Sequence, residues 1–159
     1  MIFTAAVLIT SDRASSGIYE DESGKVLVKL LEEMGFEIKD YKIIEDEYSD
    51  IKDKLIQYSD DNISLIITSG GTGLSKRDVT VDASLAVIEK EVPGISEMMR
   101  AEGAKITPFA YLSRSVSGVR KNSLIINFPG SPKACQENFD IIRPILIHAL
   151  ETINGIKNH

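Results

Sequence analysis

Three stretches of the chain, Ile2 to Thr10, Ile63 to Thr68 and Ser123 to Phe128, are nearly continuous apolar runs of strand length, rich in Ile, Val and Leu. A strand with one wet face alternates polar and apolar residues, so a run without alternation has to bury both faces. Helical patterns fill the intervals: Val26, Leu30, Leu31 and Met34 closed by Gly35; Ile51, Leu55 and Tyr58; Val81, Leu85 and Ile88 opened by Thr80. This alternation predicts an α/β fold, a three-layer α/β/α sandwich with a mainly parallel central sheet. The 159 residues, 43% of them hydrophobic, suffice for one core, burying roughly 70% of the surface that the unfolded chain exposes. With no repeat or linker, residues 1–159 read as a single domain.

The remaining elements follow from weaker signals. Phe36 to Glu45 is more polar and alternates, which predicts a strand nearer a sheet edge. Pro93-Gly94 is read as ending one helix, with Ile95, Met98 and Met99 forming another before Gly103. Thr107 to Lys121 predicts short strands or a hairpin. Ser131 can cap a helix with Pro132 at its first position and Cys135, Phe139 and Ile142 on one face, while Pro144 starts a second helix to about Ile153 or kinks the first.

In a parallel α/β sheet, ligands bind beyond the carboxyl ends of the strands. Here those ends run into Ser11-Asp12-Arg13, Asp46, the loop Ser69 to Thr80, and Pro129-Gly130-Ser131-Pro132, and the four are expected to meet at one cleft. Gly70-Gly71-Thr72-Gly73 holds three glycines in four residues, a density that lets backbone N–H groups crowd round a phosphate and that a plain turn does not require. The loop is neither a Walker A motif, since Ser75 replaces the glycine before Lys76, nor the dinucleotide G-x-G-x-x-G pattern, which fails at Lys76. Ser131, reached by a rigid Pro-Gly turn, offers a second anion site at a helix start. Asp46 and Asp78 supply oxygens suited to Mg²⁺ beside a nucleotide's phosphates, although either alone would ordinarily cap a helix or close a turn. Asp82 reads as a complement to a helix dipole. Ser11-Asp12-Arg13 and Ser113-Arg114-Ser115 each set a hydroxyl beside a guanidinium, a pairing that serves a phosphate or a surface ion pair equally well. Lys76 and Arg77 either neutralise phosphate or keep the loop soluble.

Charge narrows the partners. A net charge of −6 and a pI near 5.0 repel a nucleic-acid backbone, leaving a small anionic ligand held by local cations. One cysteine, Cys135, excludes an internal disulfide, and with only His148 and His159 beside it the usual zinc complement is missing. Cys135, His148, Met98 and Met99 read as packing residues. The N-terminal run lacks a basic leader and no run reaches membrane-spanning length, so the expected setting is cytoplasmic with no membrane partner.

Taken together, Ser11-Asp12-Arg13-Ala14-Ser15, Ile44-Glu45-Asp46-Glu47, Thr68 to Thr80 with its GGTG and RDVT elements, Pro93-Gly94, Leu112-Ser113-Arg114-Ser115 and Ile125 to Pro132 resemble the MogA/MoaB family of molybdenum cofactor biosynthesis, which includes the G domain of gephyrin. The resemblance spans nearly the whole chain. It implies a Mg²⁺-dependent molybdopterin adenylyltransferase that uses ATP as substrate, with Asp46 and Asp78 as catalytic and metal-binding residues. It further implies nucleotide binding by Gly70, Gly71, Thr72, Gly73, Pro129, Gly130 and Ser131, molybdopterin binding by Ser11, Asp12, Arg13, Ser113, Arg114 and Ser115, a homotrimer, and a molybdenum insertase as possible partner. Val81 and Glu45 stand where the family often has proline, which removes no proposed catalytic group. A non-catalytic molybdopterin-binding protein and a CinA-like nucleotide-cleaving relative remain the alternatives.

Overall fold

The computed structural model describes residues 1–156; His159 lies outside the described residues. The apolar runs form β1 (Thr4–Thr10), β3 (Leu65–Ser69) and β6 (Ser123–Phe128), joined at one edge by β2 (Glu37–Ile44) and at the other by β5 (Ser117–Arg120) and β4 (Lys90–Glu91). The sheet order is β2-β1-β3-β6-β5-β4, with β2, β1, β3 and β6 mutually parallel, β5 antiparallel to β6 and β4 antiparallel to β5. The helices are α1 (Asp12–Ser15), α2 (Ser23–Glu33), α3 (Tyr48–Asp60), α4 (Thr80–Val87), α5 (Pro93–Gly103) and α6 (Pro132–Ile153), with a 3-10 turn at Pro108–Leu112.

The two-sided burial inferred from the unbroken runs is visible residue by residue. Ala5, Val7 and Ile9 of β1 face α2, α5 and α6 through Leu27, Leu31, Met99, Phe139 and Ile142, while Ala6 and Leu8 face α3 and α4 through Ile51, Leu55, Ala83 and Val87. The central strands β1, β3 and β6 therefore each contribute to two cores, and a polar residue on either face would lie in a dry layer. β2 lies at the sheet edge, where its outer backbone groups have no strand partner among the described residues, in keeping with its alternating sequence.

Several local expectations are corrected. Pro93 begins α5 rather than ending the preceding helix, because the missing N–H of proline falls where a helix needs none. α4 stops at Val87, and the exposed pair Lys90–Glu91 then joins β5 as β4, a bridge too short and polar to predict. Leu85 is exposed, and α4 instead buries Val81, Ala83, Ser84 and Val87, since the hydroxyls of Thr80 and Ser84 hydrogen-bond inward. α6 runs unbroken through Pro144; that residue is exposed, and the carbonyl of Asp140 left without a donor belongs to an exposed residue too. His148 is exposed rather than packed, while Cys135 is fully buried as expected. The Thr107 to Lys121 segment supplies the 3-10 turn and β5, which pairs with β6 through a tight reversal at Lys121, φ 52°.

Burial pushes the Cys135 thiol up to about 11. At pH 8 the thiolate fraction is then of order one in a thousand. A disulfide reagent such as DTNB is expected to leave the native protein unlabelled over minutes and to react stoichiometrically in denaturant. Fast native labelling would contradict the packing of α6 on the sheet.

Candidate functional site

The chain passes from β1 outward to β2 and then back across β1 to β3, so strand order reverses between β1 and β3, the place where open α/β sheets form a crevice. A cleft of about 210 Å³ lies there. It is lined by Thr10 and Ser11 after β1, Asp46 after β2, Ser69, Gly70, Gly71 and Asp78 after β3, and Gly130 after β6, with Tyr19 and Asp21 closing one side. All four strand ends named from sequence meet.

The glycine loop owes its shape to close backbone approach. Gly70 and Gly71 have φ of 103° and 65°, in the left-handed region that favours glycine. A Cβ on Gly70 would stand 2.4 Å from the Thr10 carbonyl oxygen, and one on Gly71 2.1 Å from Thr80 Oγ1. Buried hydroxyls secure that approach: Thr10 Oγ1 and Thr80 Oγ1 share a hydrogen bond of 2.8 Å, and the Gly70 N–H donates to the Phe128 carbonyl at 3.1 Å. Arg114 braces the far side, its Nε donating to the Gly73 carbonyl at 3.0 Å and Nη2 to the Asp78 carbonyl at 2.9 Å, with Asp82 as ion-pair partner at 3.2 Å. Asp82 thus holds a guanidinium besides standing in the first turn of α4.

The Pro129-Gly130 turn is held by its carbonyls. Ser69 Oγ and Cys135 Sγ donate to the Pro129 oxygen at 2.8 and 3.2 Å, and Ser23 Oγ donates to the Gly130 oxygen at 2.5 Å. Ser131 Oγ accepts the Ala134 N–H at 3.2 Å and caps α6 as expected. With its acceptors turned to protein donors, the turn presents its donor side and the positive end of a long helix dipole to an anion.

Asp46 is half-buried, and burial first, then the negative charges of Asp12 and Asp78, raises its carboxyl above the usual range; the Asp12 N–H and the Arg77 charge oppose this. Asp12 titrates low because Arg77 and the Asp46 N–H bond to it. Asp78 Oδ2 accepts from the N–H and hydroxyl of Ser75 at 2.9 and 2.7 Å. No cluster of three or more potential metal-binding side chains occurs among the described residues.

Of the other site residues named from sequence, Ser11, Ser113, Ser115 and Pro129 line one of two cavities, while Asp12, Arg13, Thr72, Gly73, Arg114 and Ser131 line neither. Ser11 lines the cleft, its hydroxyl capping α1 and meeting Tyr19 at 3.0 Å, and the exposed Arg13 lies over the Tyr19 ring. Ser113, Ser115 and Pro129 border a second cavity of about 220 Å³ with Met99, Arg100 and Phe109. Ser113 and Ser115 share a hydrogen bond of 2.7 Å, and Arg100 Nη1 donates to the Ser115 carbonyl at 2.8 Å. The two cavities adjoin at the Pro129-Gly130 turn, one residue lining each. Sequence reasoning missed Asp21, which is buried and accepts the Gly24 N–H and the Tyr41 hydroxyl; the acidic residue three positions before Gly24 at a helix start was the available signal.

Gly71→Ala is expected to lose about 1–3 kcal/mol of stability in urea unfolding, because the new carbon meets Thr80 and φ is positive. Gly130→Ala, whose carbon would rest 3.7 Å from the Gly70 Cα, should stay within about 0.5 kcal/mol. Equal losses would contradict the close packing at Gly71.

The family model described as "Probable molybdopterin binding domain" matches residues 6–148. The chain is 41% identical over 152 residues to the molybdopterin adenylyltransferase of Helicobacter pylori, covering 94% of this chain and 86% of that protein. It is 38% identical over 148 residues to the enzyme of the same name from Escherichia coli K12, covering 88% and 75%. The crystal structure of the molybdopterin biosynthesis enzyme MoaB from Thermus thermophilus superposes with a TM-score of 0.92 at 39% identity, covering 97% of this chain and 98% of that one. With sequence and fold in agreement, the chain belongs to the molybdopterin-binding-domain family of molybdenum cofactor biosynthesis.

Proposed function

We propose that this protein is a molybdopterin adenylyltransferase, moving AMP from ATP to the terminal phosphate of molybdopterin and releasing pyrophosphate. The observation that carries the reading is the meeting of Asp46 and Asp78, from separate loops, with the glycine loop and the Pro129-Gly130 turn in one cleft. Relatives of that name at about 40% identity support it.

An oxygen of the pterin phosphate forms the new bond to the α-phosphorus, and the bond from that phosphorus to the oxygen bridging to the β-phosphate breaks, its electron pair leaving with pyrophosphate. The nucleophile is already an anion, so positioning and charge neutralisation suffice and no histidine base is needed. The glycine loop from Gly70 to Gly73 and the turn from Pro129 to Ser131 hold the nucleotide phosphates. Ser113 and Ser115 hold the pterin end in the adjoining cavity, Ser11 lines the cleft with Asp12 and Arg13 next to it in the chain, and Arg114 acts through the glycine loop that it braces.

Two half-buried carboxylates that belong to no cluster of three metal-binding side chains among the described residues fit Mg²⁺, which keeps waters and takes oxygens from phosphate rather than from a protein cage. Asp46 and Asp78 would hold the ion, which when bound neutralises charge on the triphosphate. The need is local: the cleft is lined by acidic side chains, and the guanidinium of Arg77, whose charge acts on Asp46, is engaged with Asp12 and Glu47. The reading also includes a cytoplasmic homotrimer that passes its product to a molybdenum insertase, with exposed Ile106, Phe109, Tyr111 and Leu112 as surface available for assembly.

Incubation with molybdopterin, ATP and Mg²⁺ should yield adenylylated pterin and pyrophosphate. Pterin binding without product would favour a non-catalytic binding protein, and nucleotide hydrolysis without pterin a nucleotide-cleaving enzyme. Asp78→Asn, which keeps an acceptor for Ser75, should lower turnover by about 10²-fold or more and shift stability by less than about 1 kcal/mol. Undiminished turnover in this variant would refute the role of Asp78.

A further inference from the structure

Arg77 precedes Asp78 in the glycine loop, yet its guanidinium contacts residues that follow two other strands. Nε and Nη2 donate to the two carboxylate oxygens of Asp12, both at 2.9 Å, and Nη2 also donates to Glu47 Oε1 at 2.9 Å. The gripped Asp12 carboxylate accepts the Asp46 N–H at 3.0 Å, while the Asp46 carboxylate accepts the Asp12 N–H at 3.0 Å. Asp12 follows β1, Asp46 and Glu47 follow β2, and Arg77 follows β3. One guanidinium thus links three loops, with the two cleft carboxylates at the ends of the linkage.

We propose that Arg77 is a positioning residue whose fork onto Asp12 fixes the loop of Asp46 against the loop of Asp78, setting the spacing of the two carboxylates for a phosphate-bound divalent cation. The proposal rests on the transferase reading of the cleft. The planar fork matters because a lysine ammonium is a point charge and cannot match both oxygens of a carboxylate. The Arg77 side chain is 53% exposed, and ion pairs so exposed contribute little to folding stability. What the linkage provides is geometry, and a misplacement of about 1 Å at a reacting centre can lower a rate about 10²-fold.

Arg77→Lys keeps the charge and removes the fork. It should fold with a Tm close to that of the parent, lower kcat by about 10- to 100-fold, leave KM for ATP within about threefold, and weaken calorimetric binding of Mn²⁺ in the presence of a nonhydrolysable ATP analogue by about tenfold. Asp12→Asn breaks the linkage from its other end and should weaken Mn²⁺ binding similarly, with the double variant no worse than the weaker single one. A raised KM for ATP with kcat intact would make Arg77 a direct nucleotide contact and overturn the proposal, as would parental Mn²⁺ affinity in either single variant or no Mn²⁺ binding by the parent protein. If the parent makes no adenylylated pterin, the transferase reading falls while the Mn²⁺ titration still decides the role of Arg77.

Discussion

Parallel pairing of β2, β1, β3 and β6 is the constraint on which the site depends. Parallel strands end on the same side of a sheet, so four chain segments far apart in sequence deliver their loops to one rim. The pairing itself depends on burial: the central strands carry apolar side chains on both faces, and helices cover both. A sheet edge or a wet face at β1 or β3 would leave apolar rows in water, at roughly 25 cal/mol for each Å² exposed. Strand order and the position of the cleft are therefore consequences of the same hydrophobic pattern.

On that frame, a set of satisfied buried polar groups converts strand ends into shaped loops. Asn127 donates to Thr68 Oγ1 and Ser84 Oγ, both at 2.9 Å, and accepts the Val116 N–H at 3.1 Å, so β6 is tied to β3, to α4 and to the segment before β5. Thr10, Thr80, Ser69, Ser23 and Cys135 do the same for the two anion-facing turns. Buried hydrogen bonds of this kind contribute modestly when made, but one left without its partner costs about 1–3 kcal/mol, so the loops have few alternative shapes. Rigid donors and two carboxylates facing one space suit a reaction in which charge neutralisation and alignment supply the rate.

The layers, the central strands and the meeting of Asp46 with Asp78 were legible because they follow from two-sided burial and strand direction, both written in local pattern. What was not legible depended on tertiary pairing. Arg77 reads locally as a loop cation that either neutralises phosphate or keeps the loop soluble, and its partner Asp12 lies 65 residues away. Asp21 sits in an acidic run, Glu20-Asp21-Glu22, that looks solvated until Tyr41 is placed against it. The helical period points Leu85 inward, but small hydroxyl residues pack inward instead because Asn127 and Thr10 offer them hydrogen bonds. Lys90–Glu91 becomes a strand only because β5 presents an edge.

The convergence of strand ends on a metal-nucleotide site is tested most directly by diffraction from crystals soaked with Mn²⁺ and a nonhydrolysable ATP analogue. The account predicts an anomalous peak within coordination distance of the Asp46 and Asp78 carboxylates, with the phosphates lying along the glycine loop. A nucleotide bound elsewhere, or a peak remote from both carboxylates, would contradict it.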